Sequence, residues 1–101
     1  MGNFIQLGRD EFRQLIAKVP RRIKANARAV WIELLLRANY QAGYKDGVYL
    51  ERGQLFCGRE EMAEAIGLSE REYRSVLGCF KNLSEVTSKA TSRGTILTLI
   101  N

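Results

Sequence analysis

Arg71, Arg74, Ser75, Gly78 and Asn82 fall within a single predicted helix, at intervals that gather them on or beside one face. The chemistry open to that face is recognition of a duplex: arginine forms paired hydrogen bonds to guanine, while serine and asparagine reach base edges or phosphates. Gly78 belongs with them because glycine costs helix stability and an outward position usually tolerates alanine. Two explanations stand for it, a close approach of the helix backbone to DNA and a packing requirement. Lys89 and Arg93 follow on a threonine-rich hairpin, placed to touch the phosphate backbone or to enter a minor groove. Arg21, Arg22 and Lys24 would supply further phosphate contacts; taken singly, any one of these charges reads better as part of a solvated helix face.

Other chemistry finds no residues. Histidine is absent, which removes the usual general base, a histidine metal ligand and any triad built on imidazole. Cys57 and Cys79 lie far apart outside any paired motif, so they read as reduced thiols unable to close a structural zinc site unaided. Gly53 to Glu60 has the glycine spacing of a phosphate-binding loop, but Arg59 and Glu60 stand where lysine and a hydroxyl residue are needed. Glu60, Glu61 and Glu64 share one helical turn and read as a solvated face rather than a metal site. No enzymatic activity and no cofactor are expected.

The elements that position the arginine face carry a signature of their own. Ala63, Gly67 and Tyr73 stand at helix-turn-helix spacing: the alanine lets two helices cross closely, and the glycine makes the left-handed bend between them. Leu68 plugs the crevice, and Ser69 with Glu72 forms a capping box that opens the second helix. The predicted helices run from Arg59 to Ile66 and from Ser69 to about Leu83, with Tyr73, Val76, Leu77, Phe80 and Leu83 directed to the core. A hairpin follows almost at once, Val86 to Thr91 and Thr95 to Ile100 about a turn at Ser92-Arg93-Gly94. An ordinary helical hairpin would explain the helices but not this sequel. The expected fold is α+β and mainly α: a single winged helix-turn-helix domain over residues 1–101, with about four helices and a small antiparallel sheet formed by the wing and one short strand.

Upstream, Phe4, Ile5 and Leu7 read as an extended lead-in. Asp10 is expected to cap a helix that buries Phe12, Leu15, Ile16 and Val19 and ends at Pro20. The basic stretch Arg21 to Arg28 leads into a long helix reaching about Tyr40, with one apolar stripe at Ala27, Val30, Trp31, Leu34, Leu35 and Ala38. A second stripe runs through Ala25, Ala29, Ile32 and Leu36. A helix apolar on both sides needs cover on both, from its own domain or from another protomer. Gly43 and Asp46-Gly47 mark a loop before two short extended segments, Val48 to Leu50 and Gln54 to Cys57, one of which is expected beside the wing.

Length and charge bound the class. The chain has 101 residues and a net charge of +5, enough for one core without disulfide or metal staples. The charge is uneven, with nine basic residues against three acidic in positions 1–45 and five against seven in positions 46–83. Attraction to a polyanion therefore falls mainly on the N-terminal basic residues and the wing. No apolar run approaches a membrane span, and Met1 to Gln6 lacks the regions of a signal peptide, so a cytoplasmic protein without membrane contact is expected.

The run RGQLFCGREEMAEAIGLSEREYRSVL, Arg52 to Leu77, followed by TSKATSRGTILTLIN, resembles the N-terminal winged-helix domains of phage replisome organisers and DnaD-like primosomal proteins. The resemblance implies double-stranded DNA binding at a replication origin, self-association, read here as a homodimer, and recruitment of a replicative helicase or its loader. The family commonly has glycine where Ser84 stands, and often serine or threonine where Gly58 stands. Replisome organisers also carry a further region for the replication machinery, so these residues are either the DNA-binding portion of something longer or a small protein using the same fold otherwise. The leading expectation is DNA binding in replication initiation of a phage or mobile element. A transcriptional regulator on the same scaffold and a module for protein association are the alternatives.

Overall fold

The computed structural model describes residues 9–100, and the lead-in at Phe4, Ile5 and Leu7 lies outside them. Helix α1 (Arg9–Ala17) buries Leu15 and Ile16, and Val19 continues the apolar face beyond its end. Asp10 lies inside its first turn rather than ahead of it as a cap. There its carboxylate faces the positive end of the helix dipole. Pro20 opens a single 3-10 turn, Arg21–Ile23, which runs directly into α2 (Lys24–Arg37).

Helix α2 stops at Arg37, short of Tyr40, because the chain is drawn off to pair elsewhere. Ala38 is already extended, the Asn39 amide donates to the Gln54 carbonyl at 2.9 Å, and the Asn39 carbonyl accepts from Gly53 at 2.7 Å. Leucine-rich sequence alone favours continuing the helix; these backbone bonds outweigh it. Strand β2 (Val48–Leu50) is the expected extended segment, and it pairs antiparallel with β1 (Gly43–Lys45), where a loop was expected. Asp46 and Gly47 carry φ of 52° and 80°, and two successive left-handed residues make the tight turn whose twist suits a hairpin.

Strand β3 (Gln54–Cys57) leads through Gly58 into α3 (Arg59–Ile66). Gly67, at φ 91°, ends that helix, and its amide and that of Leu68 both donate to the Ala63 carbonyl. Helix α4 (Glu70–Asn82) opens on the expected reciprocal cap: Ser69 Oγ accepts from the Glu72 amide at 3.1 Å, and Glu72 Oε1 accepts from the Ser69 amide at 2.9 Å. Strands β4 (Val86–Thr91) and β5 (Gly94–Leu99) complete a three-stranded antiparallel sheet in the order β3-β5-β4. The expected third strand beside the C-terminal hairpin is thus Gln54–Cys57, with Leu55 opposite Leu97 and Cys57 opposite Thr95.

The chain is an α+β fold of four α-helices and two small antiparallel sheets. Its core lies where α2, α3 and α4 meet the inner face of the larger sheet, around Val30, Leu34, Met62, Tyr73, Val76, Phe80, Leu55, Val86 and Leu97. Trp31 meets the Phe80 ring edge-on at 5.2 Å, tying α2 to α4 through an aromatic pair. Only one side of α2 takes part. Ala25, Ala29, Ile32 and Leu36 face outward, with Leu36 75% exposed, so no described part of the chain covers the second stripe.

Candidate nucleic-acid interface

Helix α4 turns Tyr73, Val76, Leu77 and Phe80 into the core and so presents its opposite side to solvent. Arg71, Arg74, Ser75 and Asn82 are all exposed there, and among the described residues none of them enters an ion pair. Gly78 sits between them with nothing within 4 Å of where a Cβ would stand. That removes the packing explanation for this glycine as far as the described residues go.

The hairpin residues behave differently from each other. Register places Lys89 opposite Ile96, which in turn lies opposite Phe56, and these positions belong to the sheet face turned away from α4. Val86, Ser88 and Ala90 occupy the other face of β4, toward the helix. Arg93 is exposed at the hairpin tip, where its Nη2 donates to the Asp46 carbonyl at 3.3 Å and bridges the tip to the β1-β2 turn. Gly94 backs it. A Cβ there would stand 2.8 Å from the Phe56 ring, so the aromatic closes over the one residue type that leaves it room.

The N-terminal cations sit on other elements. Arg21 and Arg22 are exposed in the 3-10 turn, whose packing partner is α2. Lys24 is half-buried, and its Nζ donates to the Ile16 carbonyl at 2.6 Å. It caps the end of α1, and that contact competes with any phosphate.

Between α4 and the inner face of the hairpin lies a cleft of about 270 Å³. Arg59 and Lys81 line it with the hydroxyl residues Tyr73, Ser88 and Thr95, and none of its lining residues is an acid. Sequence reading placed neither Arg59 nor Lys81 among the DNA contacts. The available signal was helical: Lys81 follows Arg74 by two turns and shares its flank. Cys57 lies at the base of the cleft, where burial pushes its thiol up while the Tyr73 hydroxyl pulls the other way. Burial likewise raises Tyr73, helped by the neighbouring thiol. Both side chains are therefore neutral around pH 7, and the charge of the cleft comes from the two cations.

The acidic turn of α3 also has a structural account. Arg37 Nε donates to Glu33 at 2.7 Å and Nη1 to Glu61 at 3.3 Å, so Glu61 ties α3 to α2. Glu60 and Glu64 are exposed.

No protein-family model matches this sequence, and no curated protein matches it. Among the described residues, no helix is long and apolar enough to cross a membrane.

Proposed function

We propose that this chain binds duplex DNA as a winged helix-turn-helix, α3 and α4 forming the motif and β4-β5 the wing, in replication initiation of a phage or other mobile element. The observation that carries the reading is the exposed face of α4: Ser75, Asn82 and an Arg71 without an ionic partner among the described residues, around a glycine that has open space above it. A major groove admits an α-helix, and such a face offers paired donors for guanine with no acid on its centre line. Arg74 flanks it, Arg93 sits at the wing tip, and Lys89 reaches out from the far face of the wing. Arg21 and Arg22 add charge from elsewhere on the surface, which favours approach more than register. Recruitment of a helicase or its loader belongs to the same reading and would require surface outside the DNA contacts.

Selection of bound sequences from a random duplex library, scored at two salt concentrations, tests it. A shared motif that survives the higher salt is expected; no duplex retained at low salt would overturn the reading. Location of that motif at an origin separates replication from the transcriptional alternative, which a promoter site would favour.

A second reading is favoured by the uncovered stripe of α2. There Ala25, Ala29, Ile32 and Leu36 would seat a second copy of the chain, and the domain would serve association alone. Stable dimers together with no duplex binding would establish it in place of the first.

A further inference from the structure

We infer that the cleft between α4 and the hairpin is a phosphate site, filled by a phosphodiester of a duplex strand that Arg59 and Lys81 clamp from two sides; this rests on the duplex-binding reading above.

Three segments distant in sequence meet there. Arg59 comes from the first turn of α3, Lys81 from the last turn of α4, and Ser88 and Thr95 from adjoining strands of the hairpin. The composition of the lining is one-sided. Two cations and three hydroxyls face a space with no carboxylate, and among the described residues neither cation has an ionic partner. An anion entering the cleft would rest on an apolar floor of Leu77, Ala90 and Leu97 and meet two cations and hydroxyls with no opposing carboxylate, at the cost of displacing water from two exposed side chains. The volume of about 270 Å³ accommodates a phosphate group but not a folded partner. The position also suits a nucleic-acid strand rather than an isolated ion. Helix α4 lines the cleft through Tyr73, Leu77 and Lys81 and carries the exposed arginine face on its other side, so one helix would serve both contacts to a strand. Lys89 cannot share this contact, because it lies on the other face of β4.

That division of faces supplies the test. Using the full chain and a duplex carrying its selected motif, affinity is measured across a salt series for the parent and for Arg59→Ala and Lys81→Ala. Each variant is expected to weaken binding on every sequence and to reduce the slope of log K against log salt, the two losses together amounting to about 0.9, the release from one phosphate. Arg13→Ala, on the exposed side of α1, should leave the slope unaltered. A pair of charge insertions on one strand then locates the phosphate. Ser88→Glu faces the cleft and should lower affinity by tenfold or more, roughly the effect of one misplaced like charge, whereas Thr87→Glu on the opposite face should cost clearly less. Unaltered slopes for both alanine variants, or equal losses for the two glutamates, would overturn the inference while leaving duplex binding intact. A parent that binds no duplex at all sinks the duplex reading and this one together. Inorganic phosphate provides the remaining arm: shifts of the Ser88 and Thr95 amides on adding it, combined with unaltered DNA slopes, would identify a small-anion site and also overturn the proposal. Thermal melts of each variant confirm that the fold is retained.

Discussion

Gly78 is a residue whose cost and benefit fall on different measurements. It occupies an exposed face of α4 with open space around it, so Gly78→Ala should stabilise the fold by about 1 kcal/mol in urea unfolding. If the glycine admits a DNA backbone, the same substitution should weaken duplex binding; a stabilised variant with undiminished affinity would remove that role. Arg71→Ala separates base reading from phosphate contact. A loss of about 1–3 kcal/mol, concentrated at one base pair of the motif, is expected from a residue paired with guanine. Uniform weakening on all sequences would reassign it to the backbone. Tyr73 and Cys57 make a prediction about pH. Burial raises both groups, so the folded state holds their protons more tightly than the unfolded chain. Their contribution is complete below about pH 8, where the unfolded thiol and phenol are still protonated, and is lost as the pH rises through and beyond about 10. Tyr73→Phe should reduce the stability lost between pH 7 and pH 10.5, and an identical loss in parent and variant would contradict the assignment.

At the scale of elements, the end of α4 is held by local geometry under strain. The Glu85 amide donates to the Phe80 carbonyl and the Ser84 amide to the Lys81 carbonyl, the paired bonds of a left-handed helix stop. Ser84 sits at φ 61°, where a side chain is disfavoured and glycine is not. Ser84→Gly should therefore raise stability by roughly 1 kcal/mol, unless the added freedom of the unfolded chain cancels it. A destabilised variant would show that the serine hydroxyl contributes more than the backbone strain costs. The elements differ in how far their residues announced them. The Gly67-Leu68-Ser69 turn and the capping box of α4 were legible because each depends on side chains within a few positions of one another. Strand β1 and its pairing with the expected segment Val48–Leu50 were not, although Asp46-Gly47 is a strong turn signal. Its strands are three residues each, and Gly43 and Lys45 hide the alternation that would mark β1.

For the whole molecule, the unresolved balance is between the two sides of α2. The described chain covers Ala27, Val30 and Leu34 completely and leaves Ile32 and Leu36 in solvent. Sedimentation equilibrium on the full chain should read a dimer that Ile32→Asp with Leu36→Asp converts to a monomer of unchanged fold. A parent that is monomeric at high concentration would show that this stripe seats no second copy. Tyr44 and Tyr49, directly opposite each other in register, add an exposed edge-to-face pair on the small hairpin, with Tyr44 78% exposed.

Sequence by itself determined the helical pair, the turn and capping box between its helices, the C-terminal hairpin and the core side of α4, because periodicity and capping act over a few residues. Tertiary structure alone decided where the charges went. Lys24 closes the end of α1, Lys89 lies behind the sheet, and Arg59 and Lys81 line one cleft. The physical reason is distance along the chain: strand register and helix crossing join segments tens of residues apart, and no local pattern encodes which cation will face which neighbour.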